Sequence, residues 1–226
     1  MTFEQSEETL RLMQLCSPAL PVGSYAYSQG LEFAISSNWV FDEDSTSLWI
    51  QGLLENSLTY LDVPLLSRLY DSWSSQDKNK VLYWNDFLFA SRDSRELQEE
   101  ERQLAQALSR LLVDLGISEA EEWKKKSRAC FLSLFALGAV RWKIPLYKAA
   151  LGYLRMWAEN QALVAIKLVP IGQTSGQKIL SSFIKIIPNC VEVGLSLEDE
   201  EVGYTSPGQG LASALHETQY TRLFRS

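Results

Sequence analysis

The sequence predicts an all-α protein, a single-domain bundle of about eight to ten helices. Apolar residues recur at helical spacing along most of the 226 residues. No segment shows the period-two alternation of a strand between turn signals, and no strand–glycine–strand hairpin is present. Neither an internal repeat nor a shift in composition marks a boundary, so we assign residues 1–226 to one domain.

The first predicted helical face lies in the first third of the chain. Asp44 or Ser45 can cap its start by accepting hydrogen bonds from free backbone N–H groups. Pro64 then breaks the helix or restarts it. The apolar residues of this face are spaced by four, four and three: Ile50, Leu54, Leu58 and Leu61.

A second face, in the middle of the chain, ends at Gly116, a residue type suited to the end of a helix. We interpret the charged residues 99–102 as its solvated side. Ser118 is expected to cap the next helix, with Glu121 completing a capping box. Glutamates adjoin the lysines at 124–126, which favours a solvated face over a basic binding patch. The leucines of the second face are Leu97, Leu104, Leu108, Leu111 and Leu115.

Four more helices are predicted from residue 129 onwards. Residues 129–140 form an apolar run that predicts a buried helix, too short for a bilayer, which needs about 20 apolar residues. The next helix runs over 145–168, and Pro170 follows its end. Another runs from near 174 to about 187, and Pro188 suits the first turn of the helix after it.

Residues 198–226, the C-terminal region, differ from the rest in composition. The stretch EDEEVGYTSPGQG is acidic and then rich in glycine and proline, so we predict a loop. A short apolar piece over 210–215 precedes the ending HETQYTRLFRS, which contains residue types that anchor interfaces. Two alternatives stay open for this ending: it docks on its own domain, or it becomes ordered on contact with a partner.

Charge and cysteine content limit the partners and the compartment. The formal net charge is −7, so the phosphates of nucleic acid would be repelled and no nucleic-acid partner is expected. Three widely separated cysteines, Cys16, Cys130 and Cys190, argue against a disulfide framework and suit the reducing cytoplasm. The beginning, MTFEQSEETL, lacks the pattern of a signal peptide, and we expect no membrane association.

The search for reactive groups gives no recognisable catalytic motif. The one histidine, His216, lies near the chain end without a nucleophile elbow, and no CxxC, HxH or HExxH metal pattern is present. The acidic residues 198–201 lack the glycine and spacing of a calcium loop. VPIGQTSGQKIL departs from a phosphate loop, because three residues rather than four separate its glycines and Gln177 precedes Lys178.

Three motifs, in order along the chain, resemble those of the urease accessory protein F family. They are SPALPVGSYAYSQGLE at 17–32, VPIGQTSGQ at 169–177 and HETQYTRLFRS at 216–226. The departures are small: Tyr25 and Ala26 replace the family's usual Phe and Ser, and Ser175 replaces Ala. Each motif alone is weak evidence, but the three together span nearly the whole chain.

The resemblance implies an all-helical, non-catalytic chaperone that dimerises during urease maturation. Such a protein binds an accessory protein of the D type, also called H, and recruits and modulates a GTPase of the G type. The assembly inserts nickel into the urease apoprotein; we expect no tightly bound cofactor here, with nickel passing through the assembled complex. Two alternatives remain: a generic helical scaffold, and a helical enzyme that uses Glu32 or His216 as a base.

Residues of the three motifs are the predicted partner contacts. The first motif is placed by resemblance near the G-type partner and the dimer face, with core packing as the alternative role of its tyrosines. The chain ending, through Arg222, Phe224 and Arg225, is assigned to the D-type partner. The predicted contact residues are Pro21, Gly23, Tyr25, Tyr27, Ser28, Gly30, Glu32, Gln173, Thr174, Gly176, Gln177, Lys178, His216, Tyr220, Arg222, Phe224 and Arg225.

Overall fold

A computed structural model describes residues 3–226 of the chain and confirms the all-α prediction. Within this range there are eleven α-helices and one π-helical segment, Leu54–Leu58, and no strand. The number of helices is slightly above the predicted eight to ten. The α-helices are α1 Phe3–Leu15, α2 Leu31–Ser36, α3 Glu43–Leu53, α4 Asp62–Ser74, α5 Lys78–Ala90, α6 Arg95–Asp114, α7 Phe131–Arg141, α8 Leu146–Leu168, α9 Gln173–Ser182, α10 Ile186–Ser196 and α11 Pro207–His216.

Helix α7 is the centre of the main core. Every residue from Phe131 to Ala139 is buried, as expected for an apolar helix that is covered on all sides. It packs against α1, α4, α6 and α8. The indole Nε1 of Trp73 donates to the backbone oxygen of Ser133 at 2.9 Å, which joins α4 to α7. The predicted buried helix at 129–140 is therefore present.

The cap of α3 differs from the prediction. Asp42, rather than Asp44 or Ser45, precedes the helix, and its Oδ1 accepts from the backbone N–H of Ser45 at 2.8 Å. The Ser45 hydroxyl oxygen in turn accepts from the Asp42 N–H at 3.0 Å. Asp42 has an extended backbone, which lets its side chain fold back over the first turn, whereas residues 44 and 45 are already helical.

The segment after α6 also corrects two predictions. Gly116 adopts φ +91° just past the end of α6, as predicted. Residues Ser118–Trp123 form a 3₁₀ helix without a side-chain cap, not a capped α-helix. Its buried residues Ala120 and Trp123 are three apart, the spacing at which 3₁₀ side chains align. In α6 itself, Leu112 is fully buried while Leu115 is 38% exposed, so the buried face ends at Leu112.

The predicted helix over 174–187 is interrupted. Helix α9 ends at Ser182 and α10 begins at Ile186, so Pro188 falls in the first turn of α10, as predicted. In one continuous helix the ring of Pro188 would meet the carbonyl group of Ile184 and remove a hydrogen bond. The turn over 183–185 avoids both costs and directs α10 against α4 and α8.

The C-terminal region is more structured than the predicted loop. It contains α11, whose N-cap Ser206 and first-turn Pro207 are typical of a helix start. Helix α11 packs against α2 and α6. The tail, defined as residues 217–226, then returns to the N-terminal motif, defined as residues 17–32. Docking of the chain ending on its own domain is therefore the alternative found in the structure.

Candidate functional site

The N-terminal motif forms two sharp turns that bring it to the tail. Gly23 has φ +81° and leads into the short 3₁₀ helix Ser24–Ala26, which leaves Tyr25 exposed and Tyr27 buried. Gly30 has φ +84° at the start of α2. A Cβ atom at Gly30 would lie 2.9 Å from the backbone nitrogen of Ser213, so only glycine allows α11 to approach this closely.

Glu32, on the first turn of α2, holds the tail in place. Its Oε1 accepts from the backbone N–H of Leu223 at 2.6 Å, and its Oε2 accepts from that of Phe224 at 2.9 Å. The same Oε2 lies 3.0 Å from Nε2 of His216. The Glu32 side chain is buried, and these contacts satisfy it without solvent.

His216 lies between two carboxylates and is fully buried. Its Nε2 faces Glu32, and its Nδ1 lies 2.7 Å from Oε2 of Glu96 on α6. Glu96 also accepts from Nη1 of Arg222 at 2.6 Å. Both ring nitrogens thus face carboxylate oxygens, and Arg222 forms an ion pair with Glu96. His216 is thus occupied in a structural network.

The last residues of the tail pair with the backbone of the motif. The Arg225 N–H donates to the oxygen of Ala26 at 2.9 Å, and the Ser28 N–H donates to the oxygen of Ser226 at 2.7 Å. The Ser28 hydroxyl donates to that same oxygen. Phe224 is buried between these contacts, in a small cluster with Leu31 of α2 and residues of α8.

Glu100 contacts the last residue of the tail, and its pKa is raised. Its Oε2 accepts from the Ser226 hydroxyl at 3.0 Å, and its Oε1 accepts from Nε2 of Gln29 at 2.7 Å. Burial raises the pKa of Glu100 to about 7, because a charged carboxylate is poorly solvated there. Gln29 in turn accepts from the indole Nε1 of Trp157 on α8 at 2.7 Å. The motif, α6 and α8 are joined through this chain of contacts.

A second buried network adjoins Glu100. Nη2 of Arg92 lies 2.7 Å from Oδ1 of Asp62 and 2.6 Å from Oε1 of Glu101. The Tyr153 hydroxyl donates to Asp62, and Glu101 accepts from the first N–H of α7, that of Phe131, at 2.8 Å. Burial opposes the charge of Arg92, but the two carboxylates raise its pKa well above the ordinary value. A cavity of about 70 Å³ lies between the two networks.

Residues 99–102 therefore differ from the predicted solvated side of α6. Glu99 and Arg102 are partly exposed and form an ion pair with each other. Glu100 and Glu101 are buried, which contradicts the prediction for these two. The free energy of burying them is offset by partners that come from distant positions: Gln29 and Ser226 for Glu100, Arg92 and Phe131 for Glu101.

The second motif, 169–177, runs from the end of α8 into α9, and its Val169 packs in the cluster that holds Phe224 and Leu31. Its side chains at Gln173, Thr174 and Gln177 are exposed, as is Lys178 just beyond. Gly176 is buried against Ile166 of α8, and a Cβ atom there would overlap the Ile166 side chain. The structure thus presents four polar side chains on a turn that glycine holds against α8.

The predicted contact residues fall into two sets. Partner binding by either set stays a prediction, but the buried set needs a rearrangement to reach a partner. Gly23 has intermediate exposure. The exposed residues are Pro21, Tyr25, Gln173, Thr174, Gln177, Lys178, Tyr220, Arg222 and Arg225. The buried residues are Tyr27, Ser28, Gly30, Glu32, Gly176, His216 and Phe224.

Sequence reasoning missed the partners that α6 and α11 supply where the tail meets the N-terminal motif. Glu96 lies 120 positions from His216, and Ser94 hydrogen-bonds to Ser213 across 119 positions at 2.7 Å. No local spacing signals such pairs. The available signal was the run of four charged residues at 99–102, which is longer than the exposed face of a helix allows. Because each residue rotates by about 100° around the helix axis, four consecutive side chains point around the whole helix.

Comparison with known proteins identifies the family. The family model described as UreF matches residues 40–184, which include the second motif but neither the N-terminal motif nor the tail. A protein of Alkalilimnicola ehrlichii called urease accessory protein UreF is 49% identical over 216 residues, covering 96% of this chain and 95% of its own length. The chain belongs to the UreF family.

Other UreF relatives support the assignment over the full length. The urease accessory protein UreF of Teredinibacter turnerae is 44% identical, with 98% of this chain and 100% of the relative covered. That of Hahella chejuensis is 41% identical, with 96% and 97% covered. The similarity to UreF relatives thus extends over nearly the whole chain, beyond the matched 40–184.

The helices were also compared with the requirements of a membrane span. Within residues 3–226, no single helix has both the length and the apolar composition to cross a bilayer. Helices α9 and α10 meet those requirements only as a pair, and they are bent by 46° at the break between them.

Proposed function

We propose that this chain is a non-catalytic adaptor in urease maturation, acting in the cytoplasm as a homodimer. It binds the D/H-type accessory protein, recruits and modulates the G-type GTPase, and assists nickel insertion into the urease apoprotein. The observation that carries the proposal is full-length similarity to proteins called urease accessory protein UreF. The geometry supports it because the motif residues bind each other rather than form a reactive centre.

The candidate reactive groups are all engaged or deactivated. Glu32 accepts from two backbone N–H groups and contacts His216, and His216 contacts two carboxylates, so both side chains are already engaged. Burial raises the pKa of the Cys16 thiol to about 12 and raises that of Cys130 well above its ordinary value. Thiols of this kind are poor nucleophiles at neutral pH. These facts favour an adaptor over a helical enzyme.

Nickel enters the proposal as cargo of the assembled complex. Within residues 3–226, no group of three or more His, Cys, Asp or Glu side chains is arranged to hold a metal ion. Asp62 and Glu101 are paired with Arg92, which competes with any cation for their oxygens. We therefore propose that tight nickel binding belongs to partner proteins, and that this chain shapes the complex through which nickel passes.

Exposed side chains of the tail are the proposed D/H-type contact. Tyr220 is fully exposed and Leu223 is 64% exposed, yet the backbone of Leu223 is fixed by Glu32. Because the backbone of Leu223 is already ordered, binding through its side chain costs less conformational entropy. Buried Phe224 anchors the tail, while exposed Tyr25 and the polar turn of α9 are the proposed G-type contacts.

Co-purification tests the assignment. We expect the double variant Tyr220→Ala, Leu223→Ala to bind the D/H-type protein with at least about tenfold lower affinity, which corresponds to about 1.4 kcal/mol. Ile184→Ala is the matched control, since Ile184 is 67% exposed on a different part of the surface. Circular dichroism should show unchanged helix content in both proteins. Full retention of the D/H-type protein by the double variant would refute the tail assignment.

A second experiment tests the function itself. Deleting the gene should abolish urease activity in cells supplied with ordinary nickel, and re-expression should restore it. Urease activity that is unaffected by the deletion would reject the role in urease maturation and favour a generic scaffold. Intrinsic GTP hydrolysis or stoichiometric, tight nickel binding by the purified chain would contradict the adaptor mechanism.

A further inference from the structure

A groove lies between the N-terminal motif and α6 on the surface of the molecule. Its volume is about 380 Å³. Its lining combines Tyr25 and Tyr27 of the motif, residues of α6 along its floor, and Arg225 of the tail. This groove is separate from the cavity around Arg92 and from the exposed apolar side chains of the tail.

The groove is basic, although the chain carries a net charge of −7. Three arginines, Arg102, Arg110 and Arg225, line it, and none of its lining residues is Asp or Glu. The carboxylate next to this lining is that of Glu99, which pairs with Arg102. A lining of this kind attracts carboxylates, which guanidinium groups bind in a paired geometry.

The three arginines differ in the hydrogen bonds and ion pairs that they already make within the chain. Arg102 is paired with Glu99 at the edge of the groove. Arg225 donates from Nη1 to Oε1 of Gln103 at 3.1 Å. Arg110 is exposed and, within residues 3–226, makes no hydrogen bond or ion pair. Gln103 also accepts from the Tyr27 hydroxyl at 2.8 Å, so the floor near Arg225 is fixed before any ligand binds.

The spacing of the charges selects an extended ligand. Arg102 and Arg110 lie eight residues apart on α6, which the helix rise converts to about 12 Å. A single phosphate ion is too small to contact both. In an extended peptide the side chains of residues four apart are separated by about 13 Å, and alternate side chains point to the same face. A peptide with carboxylates at alternate positions matches the groove.

We propose that this groove docks an acidic, extended segment of a partner protein. Carboxylates of that segment pair with Arg110 and, about 12 Å along α6, with Arg102 and with Arg225, which contacts the neighbouring Gln103. Tyr25, which is 62% exposed, packs against the segment. Binding of an acidic segment in this groove does not depend on the role of the chain in urease maturation. Only the identification of the partner as a urease accessory protein rests on the proposed function.

Fluorescence anisotropy with a defined peptide tests the proposal. The probe is a nine-residue peptide of alternating glutamate and alanine with a fluorescein label, and its glutamine counterpart is the neutral control. We expect the full chain to bind the glutamate peptide at about 20 mM NaCl and to release most of it at about 0.5 M, because salt screens exposed charges. The glutamine peptide should not bind.

Arginine variants locate the binding. Arg110→Gln combined with Arg225→Gln should weaken binding of the peptide at least about tenfold. Arg110→Glu alone tests the same point without risk to the fold, because Arg110 has no internal partner to lose. Arg128→Gln is the matched control: Arg128 is exposed but lies outside the groove. Unchanged binding in both groove variants would overturn the proposal.

Two other occupants of the groove, a second copy of the chain and nucleic acid, would give different experimental results. If light scattering shows that Arg110→Glu changes the oligomeric state of the chain, the groove is filled by a second copy and the proposal is wrong. If a DNA duplex of similar charge binds more tightly than the peptide and loses affinity in the same variants, the ligand is nucleic acid and the proposal is again overturned.

Discussion

At Glu32 a single carboxylate holds two backbone N–H groups of the tail and one ring nitrogen of His216. The sequence showed Ser28 and Glu32 one helical turn apart, and the Glu32 N–H does donate to the Ser28 hydroxyl oxygen at 3.3 Å. It could not show the tail contacts, because their donors lie more than 180 positions away. A motif with the composition of a functional site can therefore serve to hold a distant segment of the chain in place.

Replacing Glu32 by glutamine tests this role. Glutamine retains one acceptor oxygen and places a donor group opposite the remaining N–H groups, so a buried donor loses its partner. We expect Glu32→Gln to lower the free energy of unfolding by about 2 kcal/mol. Urea denaturation measures the loss, and hydrogen exchange should accelerate at Leu223 and Phe224. The exposed Glu192→Gln on α10 is the control; equal effects of both changes would contradict the role of Glu32.

Glu100 makes stability depend on pH in a known direction. Its pKa rises from 4.5 to about 7 on folding, so the folded chain binds more protons than the unfolded chain between these values. Stability from this group is therefore full below about pH 4.5 and lost as pH rises to about 7. The total change is about 3 kcal/mol, an upper estimate for one buried carboxyl group.

Glu100→Gln should remove this pH dependence. The difference in unfolding free energy between Glu100→Gln and the original chain should shift in favour of the variant as pH rises from about 4.5 to 7. Urea denaturation at four or five pH values measures it. Glu200→Gln, in an exposed turn, should leave the profile unchanged. A constant difference across the range would show that Glu100 titrates at an ordinary pKa.

At the scale of elements, periodicity located most helices and misplaced their ends. The spacing of apolar residues within a helix is visible in the sequence, and it locates the middle of the helix but not its ends. The start of α3 at Glu43 and the break between α9 and α10 depend on one capping side chain and on where a proline is tolerated. The 3₁₀ helix at 118–123 carries the same residue types as an α-helix start and could not be distinguished from one.

Two glycines inside helices allow the effect of helix propensity to be tested separately from the effect of packing. A Cβ atom at Gly194 of α10 would lie 2.6 Å from the backbone oxygen of Thr59, whereas one at Gly52 of α3 would meet nothing within 4 Å. We expect Gly194→Ala to lower the thermal midpoint by separating α10 from α4, at a cost of about 1–3 kcal/mol. Gly52→Ala should raise stability by about 0.5–1 kcal/mol. Effects of the same sign would contradict the close approach at Gly194.

For the whole molecule, the sequence predicted the fold class and the resemblance predicted the family, and both are confirmed. The buried charges were not predicted. Asp62, Arg92 and Glu101 come from three parts of the chain, and each alone has the composition of a surface residue. Only their assembly in three dimensions makes burial favourable, and a single sequence contains no record of which distant residues meet.

Arg92→Gln should destabilise the entire bundle rather than one helix. The change leaves Asp62 and Glu101 buried without a balancing charge, which typically costs about 3–5 kcal/mol. Because Arg92 contacts residues of α4 and α6, and Glu101 also binds the start of α7, we expect one cooperative unfolding transition at lower urea. Arg128→Gln is the exposed control. A variant as stable as the original chain would show that the network is not needed.

The pairing of Ser28 with Ser226 spans 198 positions, and it has a consequence for how the protein is made. At translation rates of about 5–20 residues per second, a nascent chain presents Ser28 and Glu32 about 10–40 s before the ribosome adds their partners. During that interval the Glu32 carboxylate lacks its tail partners, and the pocket for Phe224, which includes Val164, Ala165 and Val169, forms only in its last part. Ribosome-associated factors, or a partner synthesised nearby, therefore meet a binding surface that later closes.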